Sequence, residues 1–157
     1  MPKLRTLASL SASELRATLE AAGWLLAMQV AVVALPPRLW RRALFSDETT
    51  PCDAGPSEPG AARIVRRAVA RAARNLPTAP NCLPQALAAR QMLTRRGVAT
   101  SLHLGVARDD RPPRFHAWLK SGDLFVTGDC DEAGFSHFPS AAFPCRQPAS
   151  LASLPTE

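Results

Sequence analysis

The sequence predicts an α+β fold, with helices in the first half and a small antiparallel sheet in the second. Three observations carry this expectation. Ser11-Ala12-Ser13-Glu14 has the form of a capping box, a Ser followed three residues later by a Glu, ahead of an increasingly apolar stretch. Residues 81–93 place Cys82, Ala86, Ala89 and Leu93 at helical spacing, with Leu83, Leu87 and Met92 beside them, so this helix is mostly apolar and suited to burial. Residues 114–120 and 124–127 are strand-like runs about the turn Ser121-Gly122-Asp123, which makes them a hairpin.

The elements follow in chain order. The first helix is expected from Ser11 to about Leu35, where Pro36-Pro37 ends it. Its rear part, 21–35, carries no charge but includes Gln29, and it falls short of the roughly 18–20 apolar residues that span a bilayer. A buried core helix is the expectation, with contact at a membrane surface the less favoured alternative. A short helix over 37–45 with Arg38, Arg41 and Arg42 is expected next, then a Pro- and Gly-containing linker, 46–60, in which Cys52 is expected to be exposed and non-catalytic. Residues 61–75 return to helix. There Ile64, Val65, Ala68, Val69 and Ala72 form the buried stripe, while Arg63, Arg66, Arg67, Arg71 and Arg74 crowd the other faces. A proline-bounded turn, 76–80, delivers Cys82 to its helix, and Gly97 stops that helix after Arg95 and Arg96. A strand over 98–106, a polar loop and the hairpin come next. The tail from Asp131, rich in Pro, Ser and Ala, offers at most a short helix and irregular packing. The expected organisation is an N-terminal helical segment (1–45), a linker (46–60) and a core (61–157).

With 157 residues, 46% hydrophobic and 20% charged, the chain suits one globular domain rather than a disordered segment. The net charge of +6 favours acidic partners, although an arginine-rich composition does not choose among an acidic peptide, nucleic acid and an anionic surface. The cysteines, Cys52, Cys82, Cys130 and Cys145, include no Cys-x-x-Cys pair, which argues against a disulfide scaffold. Their gaps, even with His137 added, match no standard zinc spacing. No glycine loop of the phosphate-cradling kind occurs, so no metal and no cofactor is expected. With no compact signal peptide at its start, the chain is expected in a reducing, cytoplasmic setting.

Cys82 stands at a helix start, where the dipole favours the nucleophilic thiolate form. Taken alone, such a cysteine is more often a small buried hydrophobe. His116 on the first hairpin strand and Asp129 just past the second complete an ordered Cys, His, Asp set: nucleophile, general base and ring orienter. Asp131, two residues on, is the alternative third member. His103 and His137 are rival histidines. Trp118 shares the strand face of His116 and supplies an aromatic wall. Asn81 is either an oxyanion-hole donor or the helix N-cap, with the cap favoured.

Asn81-Cys82-Leu83, the run 93–98, Leu102-His103-Leu104-Gly105-Val106 and His116-Ala117-Trp118-Leu119 resemble the transglutaminase-like leader peptidases of lasso peptide biosynthesis, the B proteins, over roughly residues 15–138. The chain resembles the peptidase half of a split pair. The resemblance implies a papain-like or transglutaminase-like core, with the cysteine helix packed on an antiparallel sheet. It implies a cysteine peptidase that cuts the leader from a ribosomally made lasso precursor peptide. It also implies a separate leader-recognition protein and an asparagine-synthetase-like macrolactam synthetase as partners, and no nucleic acid. His116, unlike His103, has the Ala-Trp sequel of the family motif. The alternatives are acyl transfer to an amine or deamidation with the same residues, and a non-catalytic interaction module.

The basic helix 61–75 is either a solvated face or a docking surface for an acidic leader or partner. If it docks, replacing Arg63, Arg67 and Arg74 by Gln weakens association and flattens its salt dependence. Titrations at two ionic strengths measure this, and an unchanged affinity and salt slope would mark a solvated face.

Overall fold

Ser11 begins the first helix through its own side chain. In the computed structural model, which describes residues 11–34, 36, 59–108, 112–138 and 141–143, helix α1 runs Ala12–Ala34. The Glu14 N–H donates to the Ser11 hydroxyl at 3.3 Å, and the Ser11 N–H donates to the Glu14 carboxylate at 3.2 Å. Two donors that a helix start leaves open are thereby satisfied. The bond from the Ser11 N–H, and a second from the Ser11 hydroxyl to the same carboxylate at 3.1 Å, hold the Glu14 carboxyl below its ordinary range. The expected short helix 37–45, Cys52, Cys145 and most of the linker lie outside the described residues.

Helix α2 spans Pro59–Asn75 and helix α3 spans Cys82–Thr94. The buried stripe of α2 is Ala62, Val65, Ala68, Val69 and Ala72. Ile64, expected in that stripe, is 45% exposed because it sits about a quarter turn away from its centre. The three helices pack together through small residues: Ala17, Ala21, Ala86, Ala88 and Ala89 are all buried. Polar ties fasten them. Arg71 donates to the Thr18 hydroxyl at 3.0 Å, and both terminal nitrogens of Arg96 reach the Glu20 carboxylate, at 3.2 and 2.6 Å. Only one side of α1 is buried, through Ala17, Thr18, Ala21 and Leu25, while Leu19, Leu26, Val30 and Val33 are exposed. The expectation of a buried core helix therefore holds for one face alone. By length and composition α1 also suffices to cross a membrane.

The sheet follows as β1 (Thr100–Ala107), β2 (Phe115–Ser121), β3 (Leu124–Thr127), β4 (Phe135–His137) and β5 (Ala141–Phe143). Its order is β3-β2-β1-β4, with β5 also on β1, and every pairing is antiparallel. Gly122, at φ +57, makes the tight turn between β2 and β3. Strands β4 and β5 differ from the irregular tail the sequence predicts. Phe135-Ser136-His137 is too short to show a period; its pairing with Gly105, Val106 and Ala107 of β1 makes it a strand.

The sheet has two unlike faces. Leu102, Ala117, Leu119 and Val126 join the helices in one core. On the other face Trp118, fully buried, is surrounded by the rings of His103, His116, Phe135 and His137.

Leu25 is the largest fully buried side chain of α1. Leu25→Ala is expected to cost about 2–5 kcal/mol. Urea unfolding checks this through a lower midpoint at an unchanged slope.

Candidate active site

Cys82 is the first residue of α3. The chain reaches it through Ala79, whose φ of +41 lies in the left-handed region, and then through Pro80 and Asn81. The Gln85 side-chain amide donates back to the Pro80 carbonyl at 2.7 Å, and its backbone N–H donates to Asn81 at 3.3 Å, so the first turn is held from both sides. Asn81 occupies the N-cap position but makes no side-chain cap bond. Cys82 is half-buried and packs against the helix-side core. As at any helix start, the first backbone N–H groups of α3 have no carbonyl partner in a preceding turn of the helix.

His116 lies on β2, half-buried. Its ring stacks on Trp118 at 5.9 Å between centroids and meets Phe135 at 5.5 Å. Its Nε2 is 3.0 Å from the Gly128 carbonyl oxygen. A carbonyl only accepts, so Nε2 donates, and in the neutral ring the lone pair is on Nδ1. Asp129 is exposed, and its Oδ2 meets Arg66 Nη2 at 3.4 Å. Asp131 caps the 3₁₀ turn Glu132–Gly134 by accepting from the Ala133 N–H at 3.2 Å. Among the described residues no hydrogen bond joins Cys82 to His116, or His116 to Asp129.

The other histidines also face Trp118. His103 stacks on it at 5.6 Å and shares a hydrogen bond with the Ser101 hydroxyl at 3.0 Å; burial pushes its pKa down. His137 packs edge-on at 5.1 Å and donates to the Glu132 carbonyl at 3.1 Å. Glu132 accepts from the Trp118 indole at 2.8 Å and from Lys120 at 3.0 Å. The bonds from Lys120 and Trp118 hold its carboxyl below the ordinary range. Cys130 is also a free thiol, but burial and then the charges of Glu132, Asp129 and Asp131 raise its pKa, which makes it a poor nucleophile.

A cavity opens between α2, α3 and β3, lined by Arg66, Gln85, Thr127, Gly128 and Asp129 among others. It brings the first turn of the cysteine helix and the strand end that holds His116 to one place. Among the described residues no three His, Cys, Asp or Glu side chains gather as a metal set.

The residue pattern of the transglutaminase-like superfamily matches residues 23–140. The chain belongs to the transglutaminase-like superfamily. The matched stretch runs from the middle of α1 through β4 and contains Cys82, His116 and Asp129. No curated protein and no solved structure matches the chain.

Arg66, Gly128, Glu132 and Phe135 escaped the sequence reading. Arg66 was one cation among five on its helix, and Glu132 and Phe135 fell in a tail without periodicity. Gly128 alone carried a signal, as a glycine directly after a strand and before a candidate acid. A Cβ there would lie 2.5 Å from the Ala117 carbonyl oxygen and 2.9 Å from Trp118 Cβ, and its φ is +70. Arg63, Arg67 and Arg74 are exposed, with Arg67 beside Glu14 and Arg71 at a shallow cavity.

Glu132 yields a pH prediction. Its folded-state pKa lies below the ordinary 4.5, so its contribution to stability is present above that value and is lost as pH falls through the folded pKa. Glu132→Gln removes this contribution at every pH. The stability gap between parent and variant should therefore be widest at pH 7 and shrink on acidification below about 4.5, as read by urea unfolding at each pH.

Proposed function

We propose that this transglutaminase-like protein is a cysteine peptidase that cleaves the leader from a ribosomally made lasso precursor peptide. The observation that carries the reading is a free cysteine at the first residue of a core helix, in a superfamily member whose His116 ring is anchored at Nε2, with no partner at Nδ1 among the described residues. The resemblance of the Asn81-Cys82-Leu83 and His116-Ala117-Trp118-Leu119 segments to the lasso B proteins supports the substrate class.

In this mechanism His116 takes the Cys82 proton, and the sulfur attacks the scissile carbonyl. The tetrahedral oxyanion is met by N–H donors at the start of α3, with Asn81 beside them. Collapse expels the amine of the released peptide, which receives the proton from His116. The resulting thioester is hydrolysed by water, with His116 again as base. Trp118 keeps one side of the imidazole dry, and Asp129 supports the pair from the end of β3. The partners in this reading are the precursor peptide, a separate leader-recognition protein and an asparagine-synthetase-like macrolactam synthetase, in the cytoplasm.

Cys82→Ala is expected to abolish cleavage while the protein stays folded, because alanine fills nearly the same space. Mass spectrometry of a precursor treated in the presence of the recognition protein, with circular dichroism of the variant, checks both parts. Full activity in the variant ends the peptidase reading. A new amide bond or a deamidated residue in the parent reaction, in place of a cut, assigns acyl transfer or deamidation instead.

A further inference from the structure

The imidazole of His116 is held by the main chain. Its Nε2 donates to the Gly128 carbonyl at 3.0 Å, whereas the carboxylate of the next residue, Asp129, reaches toward α2 and meets Arg66 at 3.4 Å. Arg66 also donates through Nη1 to the Phe125 carbonyl at 2.9 Å. One guanidinium thus ties both the body of β3 and the second residue past its end to α2, and Gly128 lies between those two fixed points. Only glycine fits there: its φ is +70, and a Cβ would press on the Ala117 oxygen and on Trp118.

We propose that the Gly128 carbonyl orients His116, and that Arg66 and Asp129 are positioning residues that act through it by holding the end of β3. The proposal rests on the peptidase reading for its effect on rate. The ring geometry it describes does not depend on that reading. The carbonyl selects the tautomer with the proton on Nε2, so Nδ1 is the atom that takes the thiol proton. When the ring becomes imidazolium, Nε2 still donates to the same oxygen, and a backbone dipole rather than a full carboxylate charge meets the cation.

Magnitudes separate this from direct orientation by Asp129. Replacing a carboxylate that itself holds the catalytic tautomer by an amide costs about 10⁴-fold in turnover. The Arg66–Asp129 pair is 43% and 67% exposed on its two sides, and exposed pairs bind weakly. Losing it loosens the strand end without removing the carbonyl, and a loss of about threefold to tenfold is expected.

The test uses protein labelled with ¹⁵N-histidine, with long-range ¹H–¹⁵N spectra recorded where the rings are neutral. His116 is assigned by its absence in His116→Gln. The expected result is a proton on Nε2 of His116 in the parent, in Asp129→Asn and in Arg66→Met. The two single variants should lose about threefold to tenfold in kcat, and the double variant no more than the worse single. A parent ring protonated on Nδ1 overturns the proposal. So does an Asp129→Asn variant that switches tautomer and loses 10³-fold or more while Arg66→Met does not, because Asp129 would then orient the ring itself. Additive losses in the double variant overturn the clamp. If the parent cuts no precursor, the peptidase reading fails, and the tautomer comparison still decides what holds the ring.

Discussion

The close seating of Trp118 against two glycines governs the outer face of the sheet. The indole is fully buried, although it lies on the side away from the helices. It fits because Gly105 and Gly128 have no side chains: a Cβ at Gly105 would lie 3.0 Å from Phe135 Cβ and 3.1 Å from Trp118 Cη2, and one at Gly128 would lie 2.9 Å from Trp118 Cβ. Glu132 then anchors the indole N–H, which a buried tryptophan needs to have satisfied. The three histidines of the chain take their places around this ring. His116 is therefore positioned from two directions, by Trp118 beneath its face and by the Gly128 carbonyl at its edge.

The helical side is built differently. Its interior is rich in alanine, with Ala21, Ala86, Ala88 and Ala89 all fully buried, so the helices approach closely but each contact removes little apolar area. Directional ties between elements supplement that packing. Arg71 to Thr18, Arg96 to Glu20 and Arg66 to Phe125 and Asp129 each link elements that the alanines merely bring near. The arginines that give the chain its net charge of +6 are thus partly structural.

The two sides meet at one end of the sheet. There Gln85, in the first turn of the cysteine helix, and Gly128, at the end of β3, line the same cavity. The half-buried Cys82 belongs to the helical core, and the ring of His116 belongs to the aromatic face. That cavity joins the first turn of the cysteine helix to the strand end whose Gly128 carbonyl meets His116.

The sequence by itself determined the three described helices, the hairpin and the chemistry-bearing residue types. Ser11 and Glu14 wrote the start of α1, the spacing of Cys82, Ala86, Ala89 and Leu93 wrote α3, and strand-like runs about the turn at Gly122 wrote the hairpin, because each of these depends on neighbours a few residues away. Residues His116 and Trp118 share a face for the same local reason. Only the tertiary structure decided the rest. Phe135–His137 became a strand because β1 had an edge to pair, which no pattern in three residues can announce. Ile64 left the buried stripe because the centre of that stripe is set by where α1 and α3 sit. Arg66 stood out from its neighbouring arginines only once α2 lay across β3, and Asp129 found that cation 63 residues away in sequence. The partner of the His116 ring was likewise invisible, because a backbone carbonyl is present in every residue and only the fold chooses which one meets the imidazole.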